Sequence, residues 1–395
     1  MPSEPFLHGA ASGDPLTAGR LKVRGAVLRE MGRAAPYARS RPLEICELEL
    51  AGPGPGELLV RIRAAGLCHS DLSVIDGSRP RVMPMVLGHE ASGEVVGTGE
   101  GVGDFAAGDR VVLTFVPSCG HCPACLDGRA ALCEPGAVAN TAGELLGGGR
   151  RWGDLDGHPL HHHLGVSAFA DHVVVSARSA VRVGPDLPFE VAAVFGCAVL
   201  TGAGAALHSA EVGVGESVAV FGLGGVGLAA LLGAVAAGAT TIVAVDTIAS
   251  KLDLARELGA THAVPAGEAA VAQVRELTGG GAHKAIETVG NERVLADAYA
   301  ATRRGGTTVT VGLPDPSRML TIPAVSLVTE ERTLRGSYLG SSVPARDVPR
   351  FVDLYAAGRL PVDRLLTHRL TLDEINEGFD RLARGEAVRQ AVVFD

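Results

Sequence analysis

The stretch Ser217-Val218-Ala219-Val220-Phe221-Gly222-Leu223-Gly224-Gly225-Val226-Gly227 is an apolar run that ends in a glycine cluster of the form G-x-G-x-x-G. The pattern places a β-strand, a tight turn and a helix start in immediate succession. Gly222 permits the turn, Gly224 lets backbone N–H groups approach a pyrophosphate, and Gly227 lets helix and strand pack closely, with Gly225 and Val226 completing the loop. A glycine turn alone is satisfied by any βα junction. Here Asp246 closes the next apolar run, TIVAVD, 19 residues beyond Gly227, where a carboxylate can accept hydrogen bonds from an adenosine ribose. A carboxylate at that point repels the extra phosphate of NADP, so NAD is the expected cofactor. Lys251, at the start of the following helix, offers either a second ribose contact or an ordinary solvated lysine.

Outward from this loop, strands and helices alternate: TIVAVD, SKLDLARELG, a short strand near Ala263, a helix near Glu268 to Leu277, KAIETV, a helix from Asn291, and TTVTVG. The rhythm predicts an α/β fold with a doubly wound parallel sheet. Ser217 to Val245 carries no charged side chain and is long enough for a membrane span, but six glycines interrupt it, and β-rich ends flank a helix-like middle. A buried strand, helix and strand fits better than one spanning helix. Towards the N-terminus, from Leu21 to Phe115, short alternating runs such as LKVRGAVL and ELLVRIRAAGL predict mostly antiparallel β. The stretch from Glu134 to Pro159 is Gly-rich with little periodicity and reads as a surface loop. Met1 to Arg20 lacks the apolar core of a secretory signal and reads as a disordered tail.

The 395 residues suffice for two or three domains. With 35 basic against 44 acidic side chains the net charge is −9, no basic run could track a phosphate backbone, and nucleic acid is not an expected partner. A membrane is not expected either, and a cytoplasmic setting follows. In a reducing compartment the seven cysteines read as metal ligands or core residues.

Cys119, Cys122, Cys125 and Cys133 form C-x2-C-x2-C-x7-C, four thiolates that a short loop can gather into a closed tetrahedron. Ferredoxin-type iron–sulfur loops use similar spacings, but here the last gap is longer and no proline follows Cys133. Cys46 in LEICELEL reads as a core residue. Cys68 in GLCHSD, His89 in LGHEASG and Cys197 in FGCAVLTG each have a bland reading as a buried thiol or satisfied histidine. Together they could supply two thiolates and an imidazole and leave a fourth zinc position open.

The motifs GLCHSD, LGHEASGEVVGTGEGV, CGHCPACLDGRAALC, HHHLGVSAFADHVVV, CAVLTGAGAA, FGLGGVGL and EAVRQAVVF follow one another in an order that resembles the zinc-dependent medium-chain alcohol dehydrogenases. The resemblance is to the liver-type branch, which includes glutathione-dependent formaldehyde dehydrogenase, and covers about Leu21 to Asp395. It implies a GroES-like mostly-β catalytic domain over 21–199 with a structural-zinc lobe at 118–134, a Rossmann NAD-binding domain over 200–337, and a C-terminal return over 338–395. It implies two zinc ions per chain. Cys68, His89 and Cys197 would hold the catalytic one, and the four clustered cysteines the structural one. Ser70 would relay the substrate proton, Asp71 would orient His89, and Glu90 would assist ligand exchange. His69 and Arg389 would face the cofactor pyrophosphate and Thr201 the nicotinamide, and Val311 and Leu313 would also contact the cofactor. The implied reaction moves a hydride between NAD and a small alcohol, aldehyde or ketone. The implied assembly is a homodimer through the Rossmann sheet edge, or a tetramer.

Two positions depart from that pattern. Ser73 stands where the animal liver enzymes end their proton relay with histidine, and Ala137 stands where the formaldehyde branch has an arginine. Oxidation of a glutathione adduct is therefore disfavoured, although another formaldehyde–thiol adduct remains an alternative. So does a non-catalytic nucleotide-binding protein on the same scaffold. The resemblance places Arg79, Phe115, Leu132, His163, Leu313 and Tyr338 in the substrate pocket, and Arg79 is expected either to meet a polar or anionic substrate group or to be an exposed turn residue. The cluster His158, His161, His162 and His163 could suggest another metal site, but part of it matches a segment that lines the cleft in the family, and a third metal is not expected.

Overall fold

The computed structural model describes residues 19–395; the tail expected over 1–20 lies almost wholly outside them, and Arg20 already begins a strand, Arg20–Leu28. The glycine loop sits in a parallel sheet made by β1 (Ser217–Phe221), β2 (Thr241–Asp246), β3 (His262–Pro265), β4 (Ala282–Glu287), β5 (Thr302–Thr310) and β6 (Thr333–Gly336). Their order is β3-β2-β1-β4-β5-β6, so the chain reverses direction across the sheet between β1 and β4, and a crevice opens at that point beyond the strand ends. The helix Gly225–Ala237 links β1 to β2. The charge-free stretch is thus strand, helix and strand. Another helical run, Phe189–Ser209, is long and apolar enough to cross a membrane, but 83% of its apolar window is buried in the protein. It packs on Gly225–Ala237, where Gly202 lies so close to Val226 that a Cβ would overlap the Val226 carbonyl.

The remaining β structure forms a small closed barrel and a second sheet. Strand Glu57–Gly66 pairs antiparallel with Ala91–Thr98, and on its other edge with Arg389–Val393, through Ala391↔Gly66 and Val392↔Ala65. The last strand of the chain therefore joins the sheet built by its first hundred residues. Its first residue, Arg389, stands where the two halves of the molecule meet. Glu134 to Pro159 is not the structureless loop its composition suggests: Glu134–Ala142 is helical and Trp152–Gly153 joins the barrel. Pro135 at the start and Gly143 at the left-handed end delimit that helix, and its buried face is made of small residues that carry no periodic apolar signal.

Two buried groups report on this architecture. Glu287, at the end of β4, accepts hydrogen bonds from the N–H groups of Val289 and Gly290, each at 2.6 Å, and from the Thr310 hydroxyl at 2.7 Å, which pins the β4 loop beside the crevice. Glu287→Ala leaves three donors unpaired at a cost of about 2 kcal/mol. It should lower the melting temperature, read by thermal unfolding of wild type and variant side by side. His162 on the barrel is fully buried, and burial, reinforced by Arg151, pushes its pKa down from 6.5 to about 3. Between those values the unfolded chain binds a proton that the folded chain refuses, so stability falls as pH drops through that window. His162→Gln should flatten the acid limb of a melting-temperature profile by about 4 °C. An unchanged limb would contradict the assignment.

Candidate functional site

A cleft of about 520 Å³ runs between the two halves, from the glycine loop to a pair of buried cysteines. Cys68, His69, Ser70, Arg79, Phe115, Cys197 and Thr201 line it from the mostly-β half and the long apolar helix. Gly222, Gly224, Gly225, Val226, Gly227, Asp246, Lys251, Val311, Leu313 and Tyr338 line it from the sheet side, and Arg389 from the returning strand.

At the inner end the thiols of Cys68 and Cys197 and the imidazole of His89 place one ligand atom each within 4.8 Å of one another. Three local structures produce this convergence. Cys68 caps the short helix His69–Ile75, His89 follows the strand Met85–Val86, and Cys197 lies on a widened π-helical turn, Phe195–Val199. Asp71, also wholly buried, organises the group. Its carboxylate accepts from the Cys68 N–H at 3.3 Å, the Gly88 N–H at 3.3 Å and His89 Nδ1 at 3.0 Å. With Nδ1–H committed to Asp71, Nε2 of His89 carries its lone pair toward the sulfurs. That Nε2 is buried without a hydrogen-bond partner.

The electrostatics of this pocket call for a cation. Hydrogen bonding from Cys197 holds Cys68 as a thiolate, against the cost of burial, and the same contact pushes Cys197 upward. Burial opposes protonation of His89, yet Asp71 and Cys68 together raise its pKa well above the ordinary value. Two sulfurs, an orphaned nitrogen and a local demand for positive charge form a donor set that fits a zinc ion.

Glu90 lies behind this group. The π-turn frees the Ala198 N–H, which donates to Glu90 Oε2 at 3.0 Å, while Oε1 has no hydrogen-bond partner and stands 3.6 Å from Arg389. Burial raises the Glu90 pKa to about 7, and the Arg389 guanidinium opposes the rise. Arg389 is itself buried, donates to the Leu67 carbonyl at 3.1 Å, and lies against Gly225 at the helix start. Its Nε has no partner. One guanidinium therefore ties the glycine loop to the buried acid.

At the glycine loop, Gly222 adopts φ +90°, the left-handed region that favours glycine, and a Cβ there would collide with Val289 and crowd the Thr288 hydroxyl in the loop after β4. Asp246 Oδ2 accepts from the Leu223 N–H at 2.6 Å and Oδ1 from the Ile248 N–H at 2.9 Å, so the acid that ends β2 also fixes the loop after β1. Away from the cleft, Cys119, Cys122, Cys125 and Cys133 bring four sulfurs within 4.8 Å. Backbone N–H groups of Cys122, Cys119 and Gly136 donate to these sulfurs at 3.2 to 3.4 Å, an arrangement that favours thiolates and fits a closed four-sulfur metal site.

Two expected pocket residues are placed elsewhere. Leu132 is exposed on the cysteine lobe and does not line the cleft. His163 is buried behind His89, its Nδ1 3.1 Å from Asp71, so it braces the ligand group and does not form a cleft wall. The neighbouring histidines diverge: His162 turns to the Arg151 N–H and His158 to Asp154. Ser73, which lines the cleft, donates to the His69 carbonyl at 2.8 Å. Sequence reasoning missed Glu287 and Thr288. The Thr288 hydroxyl donates to the Gly222 carbonyl at 2.9 Å, and only the strand-terminal position of ETVG hinted at a role.

Comparison with known proteins agrees with this geometry. Residues 54–185 match the family described as alcohol dehydrogenase GroES-like domain, and residues 225–357 the family described as zinc-binding dehydrogenase. A geraniol dehydrogenase of Castellaniella defragrans is 41% identical over 377 residues, covering 95% of this chain and 98% of its own. The solved structure of an alcohol dehydrogenase zinc-binding domain protein from Burkholderia ambifaria superposes with a TM-score of 0.90 at 38% identity, over 95% of this chain and all of the other. The benzyl alcohol dehydrogenase of Acinetobacter calcoaceticus does so with a TM-score of 0.88 at 31% identity, over 95% and 100%. Two matched domains and full-length similarity on both sides of one cleft place this chain in the zinc-dependent medium-chain alcohol dehydrogenase family.

Proposed function

We propose that this chain is an NAD-dependent alcohol dehydrogenase that interconverts a primary or secondary alcohol and its aldehyde or ketone, with one catalytic and one structural zinc ion per chain. The observation that carries the reading is the convergence of Cys68, Cys197 and the orphaned His89 Nε2 on the cleft that also holds the glycine loop. Zinc held there supplies Lewis acidity at the substrate oxygen, and NAD supplies the hydride acceptor.

The remaining work falls to the protein. Asp71, with His163 behind it, fixes the His89 tautomer; burial pushes the Asp71 carboxyl up, but the two imidazoles overcome that and keep it ionised. Ser70, whose hydroxyl lies 3.8 Å from the Cys68 sulfur, accepts the substrate proton and passes it toward the cleft mouth. The Ser73 hydroxyl, committed as a donor to the helix backbone, leaves the last transfer to His69 or to water. Glu90 assists exchange of ligands at the metal. His69 and Arg389 hold the pyrophosphate, Asp246 and Lys251 the adenosine ribose, and Thr201, Val311 and Leu313 the nicotinamide face. Phe115, Tyr338 and Arg79 wall the substrate. The edge strand β6 and the exposed apolar side chains Met319, Val325 and Val328 favour a dimer built across the sheet edge. The free state of all seven cysteines suits a cytoplasmic enzyme.

The test is NADH formation by zinc-replete protein with a panel of alcohols, together with formaldehyde in the presence and absence of thiols. Wild type should contain about two zinc ions per chain. Cys68→Ala should lose one of them and at least about a thousandfold in kcat/KM, because Lewis-acid stabilisation contributes several kcal/mol. Full turnover by Cys68→Ala would sink the reading, and turnover confined to formaldehyde with a thiol would move the protein to adduct oxidation. Asp246→Gly should narrow the preference for NAD over NADP by about tenfold or more, since a like-charge contact is removed.

A further inference from the structure

Between the helix His69–Ile75 and the strand Met85–Val86 the chain runs as Asp76-Gly77-Ser78-Arg79-Pro80-Arg81-Val82-Met83-Pro84, and Arg79 lines the cleft. The loop is tethered. The Arg79 N–H donates to the Ser73 carbonyl at 2.8 Å, and the Arg81 N–H to the Met31 sulfur at 3.5 Å. Its one carboxylate, Asp76, accepts from the Ser78 N–H at 2.8 Å instead of facing the arginines. Both arginines are half-buried, and among the described residues neither guanidinium forms an ion pair or a hydrogen bond. Arg151 is neutralised by Glu57 at 2.7 Å, Arg332 by Glu330 at 2.5 Å and Arg389 by Glu90 at 3.6 Å, while Arg63 and Arg110, also half-buried and without a carboxylate partner, lie over the Phe189 ring. Two adjacent, partly desolvated cations without a counter-charge are costly unless an anion joins them.

The surroundings say where that anion sits. Arg79 lines the same cleft as Cys68 and Cys197. Between them the wall is aromatic: the rings of His89 and Phe115 meet edge to face at 5.5 Å, and those of Phe115 and Tyr338 at 5.8 Å. Arg81 lies off the cleft wall. Burial raises the Tyr338 phenol while Arg79 and Arg81 both oppose the rise, and burial lowers Arg81 with Arg79 adding to the effect, so both charges bear on one spot.

We propose that Arg79, reinforced by Arg81, binds a carboxylate on the substrate, so that the enzyme acts on alcohols or aldehydes that carry an acidic group. The inference rests on the proposed alcohol oxidation in this cleft. Arg79 contacts the carboxylate as the binding residue; Arg81 is a positioning residue that strengthens the field and holds the loop charge high.

The experiment compares 4-(hydroxymethyl)benzoate with benzyl alcohol in the zinc-replete enzyme. It also compares the affinity of the enzyme–NADH complex for 4-carbamoylbenzoate with that for benzamide by calorimetry. Wild type should favour the acid in both pairs. In Arg79→Gln the acid-over-neutral ratio should fall by about tenfold to a hundredfold, the worth of a charge-assisted hydrogen bond. In Arg81→Gln it should fall by about threefold, as for a screened second charge, and Arg79→Lys should retain part of the preference. Raising the salt concentration should shrink the preference. Ratios that are the same in wild type and both glutamine variants would overturn the proposal while leaving the dehydrogenase reading intact. Absence of NADH formation from every alcohol would overturn the dehydrogenase reading, and the calorimetric ratio would then still decide whether the arginines hold a carboxylate. S-(hydroxymethyl)glutathione is the third arm: an Arg79-dependent turnover that exceeds that of the benzoate would identify the carboxylate as that of a thiol adduct.

Discussion

Two cysteine sulfurs and an imidazole nitrogen, buried together, set the constraint on which the rest of this structure depends: a dry cluster of electron-pair donors is stable only beside positive charge. Asp71 turns the His89 lone pair inward, and this makes the constraint specific. Arg389 supplies one fixed charge from the rim of the group, and a zinc ion would supply the other at its centre. The chain meets this demand from four distant places, the segments around Cys68, His89, Cys197 and Arg389. The last of these is why the C-terminal strand must return to the first sheet. If Ala391 did not pair with Gly66, Arg389 could not lie against both Gly225 and Glu90.

The same geometry couples the two halves. The π-turn that carries Cys197 also releases the Ala198 N–H to Glu90, and Thr201, within a turn of it, faces the cleft. On the other side Asp246 and Thr288 clamp the loop after β1, and Glu287 clamps the loop after β4. Thr288 and Glu287 thus brace the cofactor cradle from beneath and need not touch the cofactor. Loss of such a brace should appear as weaker nucleotide binding, with no change in which nucleotide is preferred.

Much of this was legible in the sequence because its signals are local. G-x-G-x-x-G, the acid after the next strand and C-x2-C-x2-C-x7-C encode backbone turns and ligand spacings within a few residues. The wider catalytic set needed the ordered series of motifs, since nothing in the spacing of Cys68, His89 and Cys197 brings them together unless the fold is already known. What escaped depends on side-chain direction in the packed state. His163 was expected on the cleft wall and instead turns its ring toward Asp71; Leu132 was expected there and faces solvent on the cysteine lobe. The helix Glu134–Ala142 was hidden by a stretch poor in large apolar residues, and Arg81 gained interest only when its lack of a carboxylate partner could be seen.

The central claim, that the buried thiols and imidazole form a second metal centre distinct from the four-cysteine lobe, is tested most directly by zinc-edge X-ray absorption on the intact, zinc-replete protein. A four-sulfur site and a two-sulfur, one-nitrogen site in equal amount should average about three sulfurs per zinc at about 2.3 Å, with nitrogen or oxygen scatterers making up the shell. A shell of four sulfurs, with about one zinc per chain, would mean that only the lobe binds metal and would contradict the account.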